Sequence, residues 1–110
     1  MRGETVARLA GAGAVDDLRF ARSRAGALAA RGAGDALIRH DLVGRGVDPE
    51  AIEMALEELE PEVERARQIV TKLGVGRRTA RRLARKGFSE DVIESLCEEA
   101  VAEDAPPVVR

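Results

Sequence analysis

Apolar residues recur along this chain with the spacing of helices. Ile52, Ala55, Leu56 and Leu59 stand at i, i+3, i+4 and i+7, and Ala66, Ile69, Val70 and Leu73 repeat that spacing. Such a stripe predicts an amphipathic helix, whereas strands would show strict alternation. The β-branched residues are scattered rather than alternating, so an all-α fold is expected. The first segment, ETVARLA, predicts a short helix with Val6 and Leu9 inward, ended by a turn-like break at Gly11–Val15. Asp16 or Asp17 then caps a longer helix to about Ala30, with Leu18, Ala21, Ala25 and Leu28 as its stripe and Phe20 beside it. A helix over Asp35–Gly44 follows, with Leu37, Ile38 and Leu42 inward and Gly46 as its stop. Asp48-Pro49 is a strong start signal, joining a side-chain cap to the residue favoured at the first helical position. Pro61 breaks that helix and starts the next, which ends at Gly74–Gly76. Arg77–Lys86 predicts a short helix with Ala80, Leu83 and Ala84 inward, stopped by Gly87. Ser89 caps the last helix, where Ile93, Leu96, Cys97 and Ala100 face in, and EDAPPVVR is a frayed tail.

The pattern repeats itself. Leu42 and Leu83, Gly46 and Gly87, Ile52 and Ile93, Leu56 and Cys97 are all separated by the same interval, about 40 residues, the size of a helical repeat unit. Two three-helix copies are expected, Asp16–Glu60 and Pro61–Ala102, stacked as an elongated, curved array. Residues 1–15 read as the last helix of a first copy whose start is missing, plus a turn, and residues 103–110 as a disordered tail. The expected repeat core is Phe20, Leu42, Ile52, Leu56, Ile69, Leu83, Phe88, Ile93 and Leu96. Phe88 is expected to staple the start of the last helix against Val92 or Ile93.

Composition narrows the chemistry. The chain has one cysteine, Cys97, and one histidine, His40, so an intrachain disulfide and a multi-cysteine zinc site are both excluded. No phosphate-cradling GxxxxGK[ST] loop is present, and no catalytic constellation is visible, so neither an enzyme nor a cofactor or metal site is expected. The N-terminus lacks the apolar stretch of a secretory signal and no run is long enough to span a bilayer, which predicts a cytoplasmic protein.

A net charge of −2 hides a segregated pattern. VGRRTARRLARKG holds Arg77, Arg78, Arg81, Arg82, Arg85 and Lys86 and no acid. Arg77 and Arg81 are one turn apart, as are Arg78 and Arg82, opposite the expected apolar face. Arg19, Arg22, Arg24, Arg31, Arg39 and Arg45 form a looser version in the preceding copy. Asp48–Glu64 and Ser89–Asp104 contain acids and no bases. The basic helix reads as a contact surface for phosphate or acidic protein, since the arginine fork binds either bidentately. Alternating basic and acidic helices suit a target that mixes DNA phosphate with protein, whereas non-specific DNA binding needs uniform basicity.

Taken in order, DDLRFARS (Asp16–Ser23), LVGRGVDPEAIEMALEEL (Leu42–Leu59), ERARQIVTKLG (Glu64–Gly74) and RRLARKGFSEDVIESL (Arg81–Leu96) resemble the RecX family of recombinase regulators. The resemblance covers nearly the whole chain from about Val6, except that members usually carry three such repeats and this chain keeps only the end of the first. It implies a non-enzymatic protein, a monomer, that lies in the groove of the RecA–DNA filament. There it would inhibit ATP hydrolysis, filament growth and strand exchange, modulating recombination, DNA repair and the SOS response. The partner surface is expected at Arg77, Arg78, Arg81, Arg82, Arg85 and Lys86, with Arg22, Arg24, Arg31, Arg39 and Arg45.

A rival reading takes each three-helix unit as a helix-turn-helix-like module in which the Arg77–Lys86 helix enters a DNA groove. That helix offers arginines for guanine but no Asn or Gln for adenine. A direct DNA reader binds bare duplex; a filament regulator binds the filament instead.

Overall fold

The computed structural model describes the backbone of residues 12–104 and the side chains of residues 16–99. The expected helix over Val6 and Leu9 lies outside the described residues. Six helices are described: α1 Ala12–Ala30, α2 Asp35–Gly44, α3 Pro49–Glu57, α4 Glu62–Leu73, α5 Arg77–Arg85 and α6 Glu90–Asp104. No strand occurs among the described residues, and the fold is all-α as the sequence predicts.

Local chemistry sets most of the boundaries. Gly46 and Gly87 both take left-handed φ, 77° and 92°, and each ends a helix in the same way. Val47 N donates to Leu42 O and Phe88 N donates to Leu83 O, closing the spent carbonyls of α2 and α5. At the start of α3, Asp48 Oδ2 accepts from Glu50 N at 2.9 Å and from Ala51 N at 3.4 Å, with Pro49 at the first position. Ser89 Oγ accepts from Val92 N at 3.2 Å at the start of α6.

Two boundaries differ from expectation. The break at Gly11–Val15 is not seen from Ala12 onward, because α1 already runs there, Ala12 and Ala14 favouring helix on either side of Gly13. Asp17 therefore caps nothing of its own; its Oδ2 accepts from Asp48 N at 3.0 Å and ties α1 to the entry of α3. At the other end α6 is described through Asp104, and the rest of the expected tail, residues 105–110, lies outside the described residues.

The helices bury two separate apolar clusters. One holds Ala21, Ala25, Ile38, Leu42, Val47, Ile52, Ala55 and Leu56, with Leu18, Leu28, Leu37 and Leu59 packed against it. The other holds Ala66, Leu83, Phe88 and Leu96, joined by Ile69, Val70, Val92 and Ile93. The molecule measures 65 × 21 × 18 Å with a radius of gyration of 17.6 Å. A compact domain of this length would have a radius of gyration of about 13 Å, so the two clusters lie end to end.

Several residues expected in the core are not there. Phe20 is 44% exposed: the stripe that meets α3 carries Ala21 and Ala25, and the residue before Ala21 falls outside it. Cys97 is exposed although its counterpart Leu56 is buried. Helix α1 runs along α3 from Asp17, beside Asp48, to Arg22, beside Glu58. Helix α4 begins only at Glu62 and has no counterpart to those first turns, so the face of α6 bearing Cys97 stays uncovered. Leu73, at the end of α4, is 54% exposed for want of a neighbour. In α5 the inward residues are Thr79, Ala80 and Leu83, while Ala84 is exposed; the Thr79 hydroxyl donates to Gly74 O at 2.7 Å.

The joint between the two clusters is made of backbone. Gly34 N donates to Lys86 O at 2.7 Å and Ala36 N donates to Gly87 O at 3.2 Å. A Cβ on Gly34 would lie 2.6 Å from Gly87 C and O and from Phe88 N. Arg65, only 8% exposed, completes the joint. Its Nε donates to Glu60 O and its Nη1 to Ala33 O, both at 2.9 Å, and its Nη2 pairs with the Asp35 carboxylate. Asp35 N in turn donates to Glu62 Oε2 at 2.9 Å.

Candidate basic interface

Helix α5 carries its cations outward because Thr79 and Leu83 turn inward. Arg77, Arg78, Arg81, Arg82 and Arg85 are exposed, and Lys86, the residue after the helix, is half-buried beside the joint. Among the described residues none of these six lies within salt-bridge distance of a carboxylate; the ion pairs of the structure are made by other arginines. The acidic helix α6 packs on α5 but makes no ion pair with it among the described residues, and its Glu99 pairs instead with Arg67 at 2.8 Å.

The preceding unit behaves oppositely. Arg22 meets Glu58 through two hydrogen bonds of 2.7 and 2.8 Å, and Arg39 meets Glu53 through two of 2.8 and 3.0 Å. Arg24 and Arg45 converge on Asp41, with Nε–O distances of 2.9 and 3.0 Å. The hydrogen bond from Arg24, aided by that from Arg45, holds the Asp41 carboxyl below the usual carboxylate range. Arg39 does the same to Glu53 and Arg22 to Glu58. Those four arginines, expected as part of the partner surface, are already committed to carboxylates of their own unit. Exposed pairs of this kind contribute little to stability, but they leave no unmatched positive field. Arg31 is the exception: it is exposed and makes no ion pair among the described residues.

His40 and Cys97 are both exposed, and no group of His, Cys, Asp and Glu able to hold a metal ion occurs among the described residues. No helix there is long and apolar enough to cross a membrane.

Residues 16–56 match the family model of the second three-helix domain of RecX. Over these residues the chain is similar to RecX. The match begins inside α1 at Asp16 and ends within α3 at Leu56, so it covers the α1–α3 unit. Searches of the curated proteins and of the solved structures find no match. RecX proteins are a regulatory, non-catalytic family associated with RecA. In this chain the densest run of unmatched positive charge among the described residues lies on α5, in the unit that follows the matched domain, whereas Arg22, Arg24, Arg39 and Arg45 of the matched domain are paired.

Sequence reasoning missed Arg65. It sits in α4 next to the fully buried Ala66, and its acceptors lie on two loops and on α2. Only its place one residue off the apolar stripe signalled it.

Proposed function

We propose that this chain regulates the RecA recombinase by binding the RecA–DNA filament through the outward face of α5, and that binding restrains ATP hydrolysis, filament growth and strand exchange. The observation that carries this reading is the set of arginines on α5 left unmatched beside a RecX-like domain in which Arg22, Arg24, Arg39 and Arg45 are paired. Arg77, Arg78, Arg81 and Arg82 meet carboxylates of the recombinase, and phosphate where the groove exposes it, through bidentate forks. The elongated shape lets one molecule touch adjacent filament subunits and so oppose the movements that accompany ATP turnover and subunit addition. On this reading the α4–α6 unit is a further repeat of the same kind, and the protein works in the cytoplasm as a monomer.

Binding to RecA filaments and to bare DNA, measured side by side by anisotropy of the labelled chain, tests this. The filament is bound and bare duplex is bound weakly. Replacing Arg77, Arg78, Arg81 and Arg82 together by Ala removes four contacts of about 0.5 kcal/mol each, so filament affinity falls roughly 30-fold. The helical circular dichroism stays, because the four are exposed and Ala is the better helix former. Tight, sequence-dependent binding of bare duplex would instead support a direct DNA reader.

A further inference from the structure

A second basic feature lies at the joint and shares Arg82 with the outward face of α5. The end of α1, the end of α4 and the inner edge of α5 enclose a groove of about 200 Å³. Its floor is aliphatic, with Ile69 and Leu83, and its rim carries Arg31, Lys72, Arg82 and Lys86 with no acidic residue. None of these four cations has a carboxylate partner among the described residues. The groove continues past Gly32 and Ile69 into a second hollow of about 150 Å³, lined by Arg65, Gln68 and Phe88. It is therefore an elongated cleft whose walls come from both units.

We propose that this groove docks an acidic peptide segment that carries an aliphatic side chain between its carboxylates. The rim sets the charge of the occupant: four unmatched cations around one cleft attract anions and repel basic chains. The floor sets its class. Ile69 is only partly covered, and an aliphatic side chain entering the groove removes water from it and from the Leu83 edge, which a phosphate chain does not. A single strand would be held by stacking its bases on aromatic side chains, but Phe88 is buried and Phe20 does not line the groove. This docking does not require the recombinase reading to be correct.

The test uses the full chain and a fluorescein-labelled peptide of Asp and Glu interrupted by leucines, read by anisotropy. Two comparison ligands are the same peptide with each Leu replaced by Gly, and an oligothymidylate of matched charge. The leucine peptide is expected to bind about tenfold more tightly than the glycine peptide. It is also expected to lose about tenfold on the double substitution Arg31→Glu, Lys72→Glu. Arg31 and Lys72 are exposed and outside the cores, so that variant folds, and neither belongs to the outward α5 set, so filament binding reports separately. No peptide binding, equal binding of the glycine peptide, or tighter binding of the oligothymidylate at the same site would each overturn the proposal.

Discussion

Gly34→Ala is expected to destabilise the protein by about 3 kcal/mol, which lowers the melting temperature of a chain this size by roughly 15 °C. The substitution is harmless to the backbone itself, since Gly34 has φ −87°, a value any residue adopts. The damage comes from contact. The new Cβ would stand 2.6 Å from the Gly87 carbonyl and Phe88 N, and both are backbone atoms held by the end of α5. They cannot swing away as a side-chain tip would. The loops must part, and the hydrogen bonds from Gly34 N to Lys86 O and from Ala36 N to Gly87 O then lengthen or break. Gly87→Ala does comparable harm by a second route, adding a left-handed φ of 92° to a Cβ 2.5 Å from Leu37 N. Gly26→Ala is the control. Gly26 lies inside α1 with nothing within 4 Å of its Cβ position, so alanine there should stabilise by about 0.5–1 kcal/mol. Thermal unfolding by circular dichroism separates the three, and a Gly34→Ala melting temperature within a few degrees of wild type would refute the joint as described.

Arg65→Ala is expected to cost about 3 kcal/mol as well, for an electrostatic reason. One guanidinium satisfies the carbonyls of Ala33 and Glu60 and the Asp35 carboxylate, in a setting where its own side chain is almost wholly covered. Its removal leaves those acceptors facing a vacancy that opens onto the adjoining hollow, where water recovers part of the loss. Arg65→Lys keeps the charge but not the fork, reaches fewer of the acceptors at once, and should cost about half as much. Urea denaturation gives both values. A lysine variant as stable as the wild type would mean that the fork itself contributes nothing.

These two sites show where the sequence was legible and where it was not. Helix ends were readable because their causes are local: Gly46 and Gly87 stop helices within their own turn, and Asp48-Pro49 starts one. The repeat was readable because the same local signals recur with the same core spacing. The joint was not, since Arg65 acts on Ala33 across 32 residues and Gly34 meets Lys86 across a still longer stretch of chain. Burial at the edges of the stripes failed for a related reason. Cys97 sits where a core residue is expected, yet whether a helix lies over it depends on how far α4 extends, and Phe20 falls just outside the stripe of α1. The density of arginine on α5 was visible at once. What distinguishes it from the arginines of the first unit was not, because Arg22, Arg24 and Arg39 find their carboxylates 14 to 36 residues away.

The central claim is that the unmatched face of α5 restrains a recombinase filament, and DNA-dependent ATP hydrolysis by the RecA of the same source tests it most directly. The wild-type chain, titrated in, should suppress hydrolysis at or below stoichiometry with the recombinase. The folded Arg77→Ala, Arg78→Ala, Arg81→Ala, Arg82→Ala variant should leave it close to its uninhibited rate. Equal suppression by that variant would contradict the assignment of the interface to α5, and an unchanged rate with the wild-type chain would contradict the regulatory function itself.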